Sequence, residues 1–324
     1  MADKKTFPSQ KEGRFYLSEG GPETEVMYKH GYELPQFAMF PLLDNPDAVT
    51  TMQDMYRSYL DVVVKHGMSA LIGGLDYRAS PDWGEILGYS AEGLAEANLA
   101  CIDFLNELAA EYRTDIPEIL IQGVIGPRGD AYAQNKTITE NEAEDYHSVQ
   151  LQTLKKANVD LALAATFNNI PESVGIARAA EKIGVPLGIS LSLDSSSKLN
   201  SGPRLAEAII EIDAETDQSP AFYSVNCSHP LEYEPALDPG DWINRVRGVR
   251  PNAAKMDKIQ LCSLGHLEDG DPVELGEQVG SLARRYPHMD IWGGCCGTWD
   301  VHLDEIAKNI LAVREEISAS TEAH

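Results

Sequence analysis

Residues 159–193 read VDLALAATFNNIPESVGIARAAEKIGVPLGISLSL, and the pattern in this stretch decides the fold. Val159 to Phe167 and Pro186 to Leu193 are short apolar segments of the length and composition of buried strands. Between them, Glu172 to Ile183 has the spacing of a helix. A strand, a helix and a second strand in this order are typical of a βαβ unit, whose strands lie parallel in one sheet.

The same alternation of apolar segments and helical stretches runs along the chain. Eight strands are predicted, at Phe15 to Gly20, Ala70 to Leu75, Glu118 to Gly126, Val159 to Phe167, Pro186 to Leu193, Ala221 to Cys227, Lys258 to Gly265 and Met289 to Cys296. An open doubly wound sheet usually has fewer strands, and its dinucleotide-binding form carries GxGxxG where this chain has Glu19-Gly20-Gly21-Pro22. We therefore predict an α/β fold, a single (β/α)8 TIM barrel.

Composition and charge narrow the class of protein. The chain has 26 Lys and Arg against 51 Asp and Glu, and this net charge of −25 disfavours binding to nucleic acid. No apolar run approaches the roughly 18 residues of a membrane-spanning helix, and the N-terminus lacks the apolar core of a secretory signal. We expect a soluble, cytoplasmic protein without nucleic-acid or membrane partners.

The domain organisation is predicted to be simple. The chain has 324 residues, of which 43% are hydrophobic, enough to bury the core of one barrel. No linker rich in Pro, Gly and Ser divides it. Residues 1–324 are therefore predicted to form one domain, with residues 1–13 and 318–324 flexible, and the sequence leaves homo-oligomerisation open.

Polar and thiol side chains lie where the predicted strands end. In a (β/α)8 barrel the active site is built at the C-terminal ends of the strands. Those ends offer candidate substrate-binding residues, namely Glu19, Asp76, Tyr77, Thr166 and Asn226. Three thiols lie at the same level, because Cys227 ends the sixth strand and Cys295-Cys296 ends the last.

The cysteines divide into two groups. Cys101, on a helix, and Cys262, inside a predicted strand, are expected to be small buried hydrophobic residues. Cys227, Cys295 and Cys296 lie at the barrel mouth, and three thiolates with an open fourth position are a common arrangement around a catalytic zinc. Neighbouring residues on a regular strand point to opposite faces, so the adjacent pair needs a turn, which the flanking glycines permit. A vicinal disulfide between this pair is the alternative.

Several motifs resemble one enzyme family. Gly293-Gly294-Cys295-Cys296-Gly297-Thr298 is similar to the GGCCRT-type signature of the homocysteine S-methyltransferases, and Val225-Asn226-Cys227 to their GVNC element. Glu19-Gly20-Gly21, Tyr77-Arg78-Ala79-Ser80 and Gly126-Pro127 resemble further family motifs in the same order. The resemblance therefore spans nearly the whole chain.

The resemblance implies a zinc-dependent S-methyltransferase. It makes Cys227, Cys295 and Cys296 the Zn²⁺ ligands and Tyr77 a fourth ligand when no thiol is bound, with no catalytic group beyond the zinc-bound substrate thiolate. The partners it implies are a small-molecule thiol acceptor, homocysteine giving methionine, and a methyl donor of the betaine, sulfonium or methylfolate class. A cationic donor would favour aromatic faces, and Trp83 and Tyr77 lie near predicted strand ends.

The chain departs from the family pattern at the acceptor side. Ala165 stands where the family's fourth strand carries a glutamate for the amino group of homocysteine, and Glu19 replaces an aspartate. Either Glu19 or Asp76 takes over that contact, or the acceptor is another small thiol or a selenol. A non-catalytic zinc- or thiol-binding barrel and a redox protein using Cys295 and Cys296 are the remaining alternatives.

Overall fold

Eight parallel strands form a closed barrel in a computed structural model that describes residues 5–131, 138–256 and 265–322. The strands are β1 (Tyr16–Leu17), β2 (Ser69–Ile72), β3 (Ile119–Ile125), β4 (Leu161–Phe167), β5 (Leu187–Leu191), β6 (Phe222–Asn226), β7 (Val246–Arg250) and β8 (Ile291–Trp292). Each strand pairs with its neighbour in the chain, and β8 closes the barrel on β1. The predicted (β/α)8 barrel is confirmed.

Helices follow the strands around the outside of the barrel. In the described ranges they are α1 (Pro22–Tyr28), α2 (Pro46–His66), α3 (Pro81–Ile86), α4 (Ala91–Tyr112), α5 (Glu140–Lys156), α6 (Ile170–Ile183), α7 (Leu205–Glu215), α8 (Pro230–Tyr233), α9 (Pro272–Arg285) and α10 (Asp300–Glu322). Over these ranges, no helix is both long and apolar enough to cross a membrane.

Local capping explains why the long helices start and stop where they do. The Asn45 side chain accepts hydrogen bonds from the backbone N–H groups of Asp47 and Ala48, and Pro46 occupies the first turn of α2. Gly67 then ends α2 in the left-handed conformation, with φ of 61°. These signals are local, so the sequence predicts such boundaries well.

The barrel's seventh strand lies earlier in the chain than the predicted segment, Lys258 to Gly265. The barrel's seventh strand is Val246–Arg250, which pairs with β6 and β8. Its sequence, VRGVR, places arginines in the sheet, and the apolar pattern misses it because their charges are compensated only in the folded barrel. Residues 258–264 of the predicted strand, including Cys262, lie outside the described residues.

The two ends of the barrel differ in chemistry. At the N-terminal end of the strands the barrel interior is apolar, and Phe7 packs against Tyr16 and Phe222 with ring centroids 6.0 and 5.1 Å away. The last helix continues to Glu322, into the terminal segment that the sequence predicts to be flexible. Polar and thiol side chains gather at the other end, after the strands, where loops supply the functional groups.

Candidate metal centre and substrate pocket

The three barrel-mouth cysteines come together as the sequence predicts. Cys227 follows β6, and Cys295 and Cys296 follow β8 in a glycine-containing loop. Their three sulfur atoms lie within 4.8 Å of one another. Cys227 and Cys295 form a disulfide with Cα atoms 5.5 Å apart, so the bond joins cysteines of different strands, and the expected alternative of a vicinal bond is not what the structure has.

The cysteine loop is held by backbone contacts from two other strands. The Cys295 N–H donates to the Pro251 carbonyl oxygen at 2.8 Å, and the Cys296 carbonyl accepts from the Ala253 N–H at 3.0 Å. On the β1 side, Gly21 lies so close that a Cβ atom there would collide with the Cys295 carbonyl oxygen. The sulfur positions therefore depend on three strand ends, not on β8 alone.

This set of donors fits a tetrahedral metal ion. A zinc ion about 2.3 Å from each sulfur would separate the sulfur atoms by roughly 3.8 Å, within the span of the cluster. Metal binding requires the sulfurs of Cys227 and Cys295 as thiolates, so the disulfide would have to be reduced first. Three protein sulfurs leave a fourth position for a ligand.

Asn226 links the cluster to the end of β4. Its Oδ1 accepts a hydrogen bond from the Thr166 backbone N–H at 2.9 Å, and its Nδ2 donates to the Thr166 hydroxyl at 3.1 Å. The same Nδ2 lies 3.9 Å from the sulfur of Cys295. Thr166 and Cys227 both have positive φ, 65° and 50°, a conformation that non-glycine residues adopt at a cost and that concentrates at functional sites.

Glu19 is already neutralised by the protein. Its Oε1 lies 2.7 Å from Arg250 Nη2, and its Oε2 accepts from the Gly73 N–H at 3.0 Å. The side chain is fully buried, and burial raises the pKa of its carboxyl while the Arg250 charge lowers it. Glu19 lines the pocket, but its charge is balanced before any ligand enters.

Asp76 does not reach the pocket. Its Oδ1 accepts from the Val124 N–H at 2.9 Å, and the carboxyl is buried beneath the strand ends. Burial raises its pKa to about 7. The sequence predicts Asp76 as a substrate-binding residue; the structure does not place it among the residues that line the inner pocket, and its side chain joins the segment after β2 to β3.

Two adjacent pockets lie at the barrel mouth. The inner pocket, about 50 Å³, is lined by Cys227, Cys295 and Cys296 together with Glu19, Glu23, Tyr77, Ala165, Thr166, Asn226 and Arg250. The outer pocket, about 330 Å³, is lined by Tyr28, Phe37, Tyr77, Arg78, Trp83, Asp130, His266, Glu268 and Cys296, among others. Phe37, Tyr77 and Cys296 line both, so they form the boundary between the two spaces.

The aromatic wall of the outer pocket already holds a cation. The guanidinium of Arg78 lies 5.0 Å from the Tyr77 ring centroid and 4.4 Å from that of Trp83. Arg78 also donates to the Gly129 carbonyl at 2.9 Å, which fixes it there. These two rings are therefore occupied by the protein's own cation and do not form an empty cage for a cationic methyl donor.

The family model for homocysteine S-methyltransferase matches residues 16–310 of the chain. The chain belongs to the homocysteine S-methyltransferase family. The matched range covers all eight strands and the three cysteines. The predicted family and the predicted methyltransferase class are confirmed by this match.

Individual relatives agree with the family assignment. Homocysteine S-methyltransferase YbgG of Bacillus subtilis (strain 168) is 24% identical over 245 residues, which cover 68% of this chain and 74% of YbgG. Crystal structures of the homocysteine methyltransferase MmuM from Escherichia coli share the fold. Its metallated form has a TM-score of 0.70 at 16% identity, and its oxidized form 0.72 at 17%, each covering 92% of this chain and 96% of MmuM.

Two residues that line the inner pocket, Arg250 and Glu23, are not among the site residues predicted from the sequence. Arg250 lies in the strand that the apolar pattern misses, and it anchors Glu19. Glu23 lies in the first turn of α1 and lines the inner pocket, where Ala165 offers no charge. Burial raises the Glu23 pKa to about 7. A glutamate two residues after Gly21 has no sequence feature that reveals its direction, so only the fold identifies it.

Proposed function

We propose that the chain is a zinc-dependent S-methyltransferase that moves a methyl group from a small-molecule donor onto homocysteine and so forms methionine. The observation that carries the proposal is the cluster of three cysteine sulfurs at the floor of a pocket, at the barrel end where such folds build active sites. The family assignment supports the choice of reaction.

Cys227, Cys295 and Cys296, reduced to thiolates, would hold the ion. Zinc bound there would favour the thiolate form of a coordinated thiol, whose pKa of roughly 8.5 leaves it mostly protonated in neutral water. The protein's part is to place that sulfur. Asn226 orients the cluster through Cys295, and the β1 and β7 loops fix the backbone that carries the thiols.

The two pockets separate acceptor from donor. The acceptor's sulfur would occupy the inner pocket and the donor the outer pocket, with the transferred methyl crossing between Phe37, Tyr77 and Cys296. A carbon–sulfur bond forms to the acceptor while the donor's bond to the methyl breaks and the donor keeps the electron pair. Displacement at carbon requires these three atoms nearly in line, so the donor would have to present its methyl group across this boundary toward the acceptor's sulfur.

Metal content is the first test. Protein purified under reducing conditions is expected to bind about one zinc per chain, as a single tetrahedral site requires. Cys296→Ser is expected to lose it, and Cys101→Ala, which changes a buried cysteine of α4 outside the cluster, is expected to keep it. No zinc in the reduced wild type would overturn the mechanism.

Methyl transfer is the second test. Wild type and Cys296→Ser are assayed with homocysteine and, in turn, a betaine, a sulfonium and a methylfolate donor. Methionine formed only by the wild type supports the proposal. Zinc without methionine from any donor would redirect the assignment to another thiol or selenol acceptor, which the same assay can screen.

A further inference from the structure

We propose that the Glu23 carboxylate binds a cationic ammonium group of the acceptor, so that the chain selects an aminothiol over a thiol without an amine. The inference rests on the proposed function, because it takes the acceptor's sulfur to lie at the cysteine cluster. It assigns the acceptor's charged group to a residue of α1.

Glu23 lies at the wall of the inner pocket. Glu23 lines the same small pocket as all three cysteines. The pocket measures only about 50 Å³, so a ligand whose sulfur reaches the cluster brings the rest of its short chain against the remaining walls. Glu23 is partly exposed to that space, because α1 begins directly after the Gly20-Gly21 turn that packs on the cysteine loop.

Glu23 differs from its neighbouring glutamates in its charged partners. Three glutamates lie close together in this part of the chain, and two have cationic partners. Glu19 pairs with Arg250 at 2.7 Å, and Glu25 pairs with Lys29 at 2.7 Å. Among the described residues, none forms a salt bridge with Glu23, although the more distant charges of Arg250 and Arg78 lower its pKa. A pocket-lining carboxylate without a salt-bridge partner can receive a cationic group of a ligand.

The other residues that line the inner pocket are uncharged or already paired. Ala165 and Val124 are apolar, and the other charged side chains lining the inner pocket are the paired Glu19 and Arg250. Among the described lining residues, Glu23 is thus the carboxylate that has no salt-bridge partner, and the Arg250 and Arg78 charges offset only part of its burial. Burial of that charge raises its pKa, and an ammonium group entering the pocket would offset the cost of ionisation.

The test compares three thiols that differ in one group at a time. Homocysteine carries both an amine and a carboxylate, 3-aminopropane-1-thiol keeps only the amine, and 4-mercaptobutanoate keeps only the carboxylate. Each is titrated calorimetrically into zinc-loaded, reduced wild type, Glu23→Gln and Glu33→Gln. Glu33→Gln makes the same charge change at an exposed residue outside both pockets.

In Glu23→Gln, the dissociation constants of homocysteine and 3-aminopropane-1-thiol are expected to rise roughly 10- to 100-fold. This factor corresponds to the loss of a hydrogen bond between charged groups. That of 4-mercaptobutanoate should stay unchanged or fall, and Glu33→Gln should match wild type for all three thiols. An equal loss for all three in Glu23→Gln, or no loss for any, overturns the inference.

Methyl-transfer assays on the same samples separate the two proposals. If wild type transfers the methyl group but Glu23→Gln does not selectively weaken the binding of the two amine-containing thiols, the inference is overturned and the proposed function stands. Amine selectivity that depends on Glu23 without methyl transfer supports the inference and overturns the reaction. Wild type that binds no thiol overturns both.

Discussion

Arg250 Nη2 lies 2.7 Å from Glu19 Oε1, and this ion pair ties the end of β7 to the end of β1 beside the cysteine loop. The same guanidinium donates through Nε to the Gly294 carbonyl oxygen at 3.0 Å, one residue before Cys295. A single buried arginine thus connects the strands on either side of β8 with the loop that carries two of the three thiols.

Arg250→Gln is expected to destabilise the protein strongly. It leaves Glu19, whose side chain is 0% exposed, without its cation, and breaking a buried pair by removing one partner costs about 3–5 kcal/mol. Chemical denaturation of the reduced protein measures the loss. The control is Arg57→Gln, which removes an exposed pair with Glu111 and should cost less than about 1 kcal/mol. Equal losses in the two variants would contradict the role given to Arg250.

Asn226→Ala is expected to weaken both metal binding and folding. The substitution removes a contact to Cys295 and leaves the buried Thr166 N–H without its acceptor, a cost of about 1–3 kcal/mol. Loss of a group that orients a metal ligand typically lowers metal affinity about 10- to 100-fold, measured here by competition with a chelator.

Asn106→Ala is the matched control, because the Asn106 amide donates to a backbone carbonyl within α4, away from the cluster. Its zinc affinity should equal that of wild type. An Asn226→Ala protein that unfolds at lower denaturant but holds zinc as tightly as wild type would limit Asn226 to a structural role.

Gly21→Ala is expected to displace the cysteine loop. The added Cβ would collide with the Cys295 carbonyl oxygen, so the backbone of Gly21 or that of Cys295 would have to shift. We expect lower stability and less than one zinc per chain. Gly93→Ala is the control, since its Cβ would meet nothing closer than 3.4 Å in the first turn of α4. That change should instead stabilise the helix by about 0.5–1 kcal/mol. Full zinc occupancy in Gly21→Ala would show that the loop tolerates the collision.

The sequence predicts the barrel because the signals for most elements are local. α2 and α4 begin at such local signals, since the Asn45 and Ser90 side chains cap their first turns and apolar spacing marks their length. The cysteine cluster is predicted because Cys227, Cys295 and Cys296 follow strand ends, which meet at the barrel mouth, and because their motifs resemble those of the family.

What the sequence misses depends on contacts between distant residues. β7 contains Arg247 and Arg250, whose charges are compensated by Asp290 and Glu19 more than 40 and 200 positions away in the chain. A pattern of local hydropathy cannot show such pairing. β7 therefore lacks the apolar pattern from which the other strands are predicted. The direction of Glu23 into the pocket depends on how α1 packs, which is also a tertiary property.

The stability of the protein should depend on pH through Asp76. Burial raises the pKa of this carboxyl to about 7 in the folded protein, against roughly 3.9 in an unfolded chain. Between these values the folded state binds the extra proton, so the stability that Asp76 contributes is present in full below about pH 4 and is lost as the pH rises through 7.

Asp76→Asn removes this titration while an amide oxygen can still accept from the Val124 N–H. The variant and the wild type should therefore differ little at pH 4, and the variant should become more stable by on the order of 2–4 kcal/mol at pH 8. Denaturant unfolding at steps between these pH values measures the difference, with Glu33→Gln, at an exposed position, as the control. A difference that stays constant across the range would mean that Asp76 keeps one protonation state throughout. A wild type that gains stability relative to Asp76→Asn as the pH rises would mean that the ionised carboxylate is favoured by the fold, against the burial that the structure gives it.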